Sequence, residues 1–392
     1  MKMKVITSIL SLLVASVATA DVWTFGGNFT GAGKNTASGI LFNQMVLDNA
    51  DTNYTSASTT PINFEYGDSS VYFANFTKDF TFDTEVNIYN AATTSGDKHA
   101  SFYSSIGATV TFNETINFYK TETSGKPRLA FYGIAGKHIN VVWNKAPSIA
   151  YLSENSGSTP EVWLEYTNLT INADIGATTT TKTYNGKTYT DPSKLPYTHF
   201  CKGTNVIVNN STVNIATVAL RSCGADNSWG SITANKSDVI IGTLQSQYIT
   251  SGFKEREGTF SLIYGDALTA ETIKITNINY LGGTRTDNGD GTFSYTRPSI
   301  DIILKDFDLG DQLLVKEDNL LTYKNYKGEL ATRIMYEGTE YTMQEAVDLG
   351  FVEVGETADG FNSYTMVIPE PSTYAGILGA LAIAFVFMRR RK

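Results

Sequence analysis

The chain has 392 residues, with 39 Asp and Glu against 30 Lys and Arg and only 3 His, a formal net charge of −9. An acidic surface of this kind argues against nucleic acid and anionic lipid headgroups as partners. Charged residues are only 18% of the chain, and 33 Gly and 22 Tyr accompany abundant Thr, Asn and Ser; that is the composition of β-structure joined by polar turns, long enough to bury a large core.

In chain order, MKMKVITSILSLLVASVATA places Lys2 and Lys4 before an apolar stretch from Val5 and closes on Ala18-Thr19-Ala20. A charged start, an apolar middle and a small-x-small end are what a signal peptidase accepts, so residues 1–20 are expected to be a signal peptide cut after Ala20. Without the six cations of the two termini, the body holds 24 cations against 39 acids, a balance of −15. Residues 21–70 are expected to form an N-terminal β cap. Within them Gly67-Asp68-Ser69-Ser70 has the look of a hydrolase nucleophile block, but no histidine is placed to serve as its base, so it is expected to be a strand entry.

From residue 71 one pattern recurs: TEVNIY at Val86, ETINFY at Ile116, HINVVW at Ile139, NLTINA at Leu169, STVNIA at Val213, SDVIIG at Val239, ETIKIT at Ile273 and SIDIIL at Ile300. Each sets two apolar residues two apart with a mostly polar one between, the period of a strand with one face buried. The spacings run from 23 to 44 residues, the longest fitting two rungs of 22. Quasi-regular recurrence of one strand with polar turns between predicts an all-β chain, an irregular parallel β-solenoid over 71–310, with the eight apolar positions stacked in one internal column. An antiparallel β-sandwich or jelly roll satisfies the same alternation and stays as the alternative.

The middle positions Asn87, Asn117, Asn140 and Asn214 are expected to stack as an amide ladder; the same face, with Tyr89, Tyr119 and Trp143, is also suited to holding sugars. Eight Asn-x-Ser/Thr triplets begin at Asn28, Asn53, Asn75, Asn113, Asn168, Asn209, Asn210 and Asn235, a number that Asn- and Thr-rich composition explains without glycosylation. The two cysteines, Cys201 and Cys223, lie 22 residues apart, one rung by the spacing above. In an exported protein they are candidates for a disulfide worth about 3 kcal/mol, with two buried thiols as the alternative. No metal or cofactor site is expected, since the histidines are scattered and only His199 is near a cysteine.

Further along, FKEREGTF at 253–260 reads as a solvated loop. Asp287-Asn288-Gly289-Asp290-Gly291 has calcium-type oxygen ligands but Pro298 stands where the bidentate Glu belongs, so a turn between short strands is expected. Residues 311–366 are expected to be a C-terminal cap, with one helix in YTMQEAVDLGF started by Thr342 and ended by Gly350.

The chain closes on VIPEPSTYAGILGALAIAFVFMRRRK. A helix over residues 374–388 reaches only about 22 Å against about 30 Å of bilayer hydrocarbon, so it spans marginally, with Arg389, Arg390, Arg391 and Lys392 held at the cytoplasmic side. Pro369-Glu370-Pro371, the short apolar helix and the terminal basic cluster together resemble the PEP-CTERM sorting signal of Gram-negative bacteria. That resemblance covers residues 367–392 and implies recognition and cleavage by an exosortase in the inner membrane, then release to the cell surface or the extracellular matrix. It implies a route and no activity. The body shows no catalytic constellation, so a non-enzymatic structural or adhesive role is expected, with extracellular polysaccharide as a candidate partner. The alternative is a polysaccharide lyase or glycoside hydrolase on a β-helix scaffold, which would need a cleft gathering three or more carboxylates with an arginine.

Overall fold

In a computed structural model the chain is almost entirely β-structure. The description covers most of residues 79–367 and, before them, only short segments between residues 22 and 76; residues 1–21, 368–392 and several connections, among them 91–96, 121–125, 153–159, 222–227, 247–257, 280–284, 296–299 and 317–319, lie outside it.

The chain winds into coils, each adding one strand to two or three sheets of 12, 13 and seven strands, here the first, second and third sheets. One coil runs Phe80–Phe82 on the first sheet, Val86–Asn90 on the third and Asp97–Tyr103 on the second; the next repeats the circuit with Thr109–Phe112, Ile116–Lys120 and Lys126–Tyr132. Pairing between coils is parallel and in phase, with Val110 opposite Phe80, Ile116 opposite Val86 and Phe131 opposite Phe102. A parallel β-solenoid results, and the sandwich alternative falls, because its sheets would pair antiparallel.

Alternation explains the core. On the first sheet the inward positions align from Phe80 through Val110, Val141, Leu169, Val206, Ile232 and Leu262 to Leu304 and Ile334, all buried. The interior changes character along the axis. In the three-sided coils it is filled by rings, with Phe82 stacked on Phe112 at 4.9 Å, Phe102 on Phe131 at 5.3 Å and Trp143 edge-on to Phe131 at 6.0 Å. The third sheet then ends at Ser148–Leu152, where an antiparallel hairpin of Thr180–Tyr184 and Lys187–Asp191 pairs with it. Beyond the hairpin the coils have two sides only, the second sheet's strands lengthen to the nine residues of Thr212–Leu220 and Asp238–Ser246, and Val213, Ile215, Val239, Ile241, Ile273 and Ile275 fill a narrower core. Wide coils need aromatic volume and flat ones are filled by branched aliphatics, since interiors pack to a fixed density.

Several expectations need correction. The eight recurring strands are buried and lie in the coils, but not in one column: Val86 and Ile116 sit on the third sheet, Ile139, Leu169 and Ile300 on the first, Val213, Val239 and Ile273 on the second. Alternation reports that one face is buried and is silent on which side of the coil the strand occupies. The 44-residue gap holds no pair of short rungs; one coil carries the inserted hairpin instead. Residues 21–70 are not a separate cap, for Val22–Trp23, Gly27–Thr30, Tyr54–Ser56 and Ile62–Tyr66 already pair in parallel with one another and with the coils that follow.

At the other end the solenoid runs on through Gln312–Val315 and Thr332–Tyr336, inside the expected cap. Antiparallel strands then close both long sheets: Thr339–Thr342 on the first, Asn362–Met366 and Val352–Glu356 on the second. Between them lies helix α1, Met343–Asp348, with Thr342 and Glu345 forming a capping box and Gly350 following at φ 75°. The expected hairpin is present as Arg285–Asp287 against Phe293–Tyr295, with the Gly289 amide donating to Asp287 Oδ1 at 2.8 Å in an Asx-type turn. Among the described residues no helix is long and apolar enough to cross a membrane; the expected span over residues 374–388 lies outside them.

Candidate functional site

Outward-facing residues fall in columns for the same reason that inward ones do. On the second sheet one column reads His99, Arg128, Glu161, Tyr197, and its neighbour Ser101, Ala130, Trp163, His199, Ala219, Gln245. Adjacent strands lie about 4.8 Å apart, so long side chains of successive coils touch. Ala130 and Ala219, on either side of Trp163 and His199, leave room for the two rings, whose centroids are 4.7 Å apart.

Charge is concentrated here. Glu161 Oε2 accepts from Arg128 Nε at 2.8 Å and from His199 Nε2 at 2.8 Å, all three residues being buried. Burial pushes the Glu161 carboxyl up, but the His199 and Arg128 hydrogen bonds and charges outweigh it and hold the group down at about 2. Burial pushes the His199 imidazole below its ordinary value, with Glu161 opposing and Arg128 and Arg221 adding to the fall. Because ionised Glu161 has only lone pairs to offer, neutral His199 carries its proton on Nε2, and Nδ1 is an acceptor without a hydrogen-bond partner, buried at 1% exposure. Arg128 also reaches His99 Nε2 at 3.2 Å, and His99 Nδ1 meets the Tyr132 hydroxyl at 2.5 Å.

Trp163 is the hub. The guanidinium of Arg128 lies 4.6 Å from its ring centroid and that of Arg221 lies 4.7 Å away. Arg128 is balanced by Glu161, and Lys202 stands 3.7 Å from Glu165. Arg221 is part-exposed and, among the described residues, makes no salt bridge. Around Trp163 itself, His99 lies 5.8 Å away ring to ring, Tyr132 packs against the cluster of Ala130, Trp163 and Cys201, and Tyr197 reaches it through His199, these three (His99, Tyr132 and Tyr197) being partly exposed. This face can hold an anion against aromatic surface; with Glu161 locked as a carboxylate acceptor, it offers no protonated carboxyl for general acid work at neutral pH.

A second feature is a polar cleft of about 290 Å³ where the first sheet turns into the second, lined by Asp174, Asn210, Ser211, Lys236, Asp238 and Thr269 among others. Asn210 and Lys236 turn the corner at φ 49° and 52°. Behind it, Glu271 accepts from the Lys236 amide, and Asp311 accepts from the amides of Glu271 at 2.8 Å and Asp308 at 2.7 Å. Burial raises both carboxyls, Asp311 and Asp308 adding to it, to about 7 each. These carboxyls latch one coil's corner to the next.

The rings considered for holding sugars beside the asparagine positions are buried. Trp143 is core, and Tyr89 and Tyr119, stacked at 4.9 Å, are covered by Tyr189 of the inserted hairpin. The amide ladder exists in pieces. Asn117 donates to Asn87 Oδ1 at 2.9 Å, Asn168 to Asn140 at 2.9 Å and Asn205 to Asn168 at 3.0 Å, while Asn214 donates to the Ile175 carbonyl and joins no ladder. The longest ladder was not anticipated: Asp83, Asn113, Asn144, Asn172, Asn209 and Asn235 link in succession at 2.5–3.0 Å along the corner after each first-sheet strand. The sequence carries it as an asparagine directly after the strand's last inward residue, in Phe112-Asn113, Trp143-Asn144, Ile171-Asn172, Val208-Asn209 and Ala234-Asn235. Asn113, Asn168, Asn209 and Asn235, each of which begins an Asn-x-Ser/Thr triplet, use their amide nitrogens in these ladders.

Cys201 follows directly on the strand Leu195–Phe200, fully buried against Ala130 and Trp163. The register offset there is 20 residues, with Phe200 opposite Leu220, so Arg221 rather than Cys223 comes next to Cys201. Cys223 lies outside the described residues, as do Ala18, Ala20, Pro369, Glu370, Pro371 and Arg389 to Lys392. Among the described residues no three His, Cys, Asp or Glu side chains are grouped to hold a metal ion. No family model, no curated protein and no solved structure matches the chain.

Proposed function

We propose that the chain is an exported structural and adhesive protein of the cell surface or extracellular matrix, routed by its two ends and delivered by exosortase cleavage of its tail. One observation carries the structural part: the first sheet's flank is lined by a continuous asparagine ladder, and the carboxyls with raised pKa, Glu271 and Asp311, are consumed as acceptors for backbone amides between coils. Side chains spent on fastening coil to coil suit an elongated scaffold.

Mass spectrometry of the surface fraction of the native host tests the route. The expected major species starts at Asp21 and lacks Arg389 to Lys392. A major form that keeps the basic end would make the tail a permanent anchor and overturn the sorting part of the proposal.

The enzymatic alternative has one observation on its side, the cleft that places Asp174 and Asp238 near Lys236, with Glu271 behind it. Release of reducing ends from polyuronates or neutral glucans by the wild-type protein, lost in Asp238→Asn, would establish it.

A further inference from the structure

We infer that the face around Trp163 and Arg221 is a binding site for carboxylate-bearing glycans, a claim that rests on the matrix role proposed above and names its ligand class.

Three observations converge. The protein is acidic, with a net charge of −9, which disfavours anions except where a local cation stands out, and Arg221 is such a cation, part-exposed and forming no ion pair among the described residues. Its guanidinium is held 4.7 Å from the Trp163 centroid, so the planar fork is ordered before any ligand arrives and loses little freedom on binding. A carboxylate is the group that such a fork grips with two parallel hydrogen bonds.

The surroundings supply the rest of a sugar site. The Tyr197 hydroxyl accepts from Gln245 Nε2, and the ring of Tyr197 lies 4.8 Å from that of His199, so it is fixed from both sides. Tyr132 is fixed likewise by His99. Tyr132, partly exposed, packs against the cluster that holds Trp163, the ring under the Arg221 guanidinium, so aromatic surface for the apolar face of a pyranose lies in the same patch as the cation that takes its acidic group. The competing charges are already occupied: Arg128 is neutralised by Glu161, and Lys202 stands beside Glu165. A cation left unbalanced among the described residues fits a polymer with one carboxylate per sugar unit, met one at a time.

The full chain without its signal peptide is run through native gels containing polygalacturonate, its fully methyl-esterified form, dextran or dextran sulfate. Retardation by polygalacturonate alone is expected, since esterification removes the charge and leaves the sugar ring. Arg221→Gln should weaken that retardation at least tenfold and Arg221→Lys less, while Lys305→Gln, a cation at the end of a first-sheet strand, should leave it unchanged. Equal retardation by the methyl ester or by dextran sulfate, or an Arg221→Gln protein that binds as wild type, overturns the inference. The comparison of acid with ester uses wild-type protein and holds even if a variant fails to fold. A protein found at the cell surface that binds no polyuronate refutes the site and leaves the surface role standing; one that binds polyuronate but never reaches the surface does the reverse.

Discussion

Glu271 and Arg128 show how differently a buried charge is managed in two places of one fold. Glu271 is 1% exposed and receives backbone amides, and its pKa rises to about 7 because burial dominates. A carboxyl whose folded pKa lies above its unfolded value of about 4.5 binds more protons folded than unfolded between those limits, so its contribution to stability is greatest below pH 4.5 and is lost as pH climbs through 7. Asp311, raised to about 7 from 3.8, acts in the same direction. Urea midpoints at pH 5 and pH 8 should therefore drop more steeply in wild type than in Glu271→Gln; parallel profiles would show that the latch does not titrate. The Glu161 group works in the other direction. Its carboxylate, down at about 2, adds stability that is present above pH 4.5 and lost as pH falls toward 2. Glu161→Ala removes the carboxylate that pairs with Arg128, buried at 7% exposure, and should cost about 3–5 kcal/mol in denaturant unfolding. A loss below about 1 kcal/mol would mean that water reaches the guanidinium.

A strand in this molecule is specified locally and placed globally. The apolar alternation at Val86 or Ile273 announces a buried strand, and the helix α1 is equally legible, because Thr342, Glu345 and Gly350 satisfy its ends from within a dozen residues. Which sheet a strand joins depends on how many corners precede it in its coil, and corners are made by backbone choices at Asn210 or Lys236 that many polar sequences could make. The site on the second sheet was hidden for that reason. HASFY, RLAFY and EVWLE at residues 99, 128 and 161 align once the register is known, bringing His99, Arg128 and Glu161 into one column, but their spacings of 29 and 33 residues differ as loops differ. Close approach between coils also leaves a mark only in hindsight. Gly230 sits at a register shift with φ 120°, and a Cβ there would lie 1.6 Å from the Thr204 carbonyl oxygen. Gly230→Ala should fail to yield soluble protein or lower the melting temperature by more than about 10 °C, the mark of a loss beyond 4 kcal/mol; near-wild-type melting would mean that the two coils can part at little cost.

At the scale of the whole molecule, the parallel ladders make each coil a template for the next, and the antiparallel strands at the C-terminal end stop that growth. They do something more. The last strand before the tail, Asn362–Met366, is an interior strand, bonded to Gln312–Val315 on one side and Val352–Glu356 on the other, and the Met366 amide and carbonyl are tied to Asp311 and Gly310. If the tail is held at a membrane while the body is dragged by flow or by a bound polymer, the pull enters at Val367 and runs along that strand. Both flanking ladders then slide as units, many hydrogen bonds resisting together, whereas a strand at a free edge would open one bond at a time. Under such a pull the cap that ends the coils would also act as a shear clamp where the load enters.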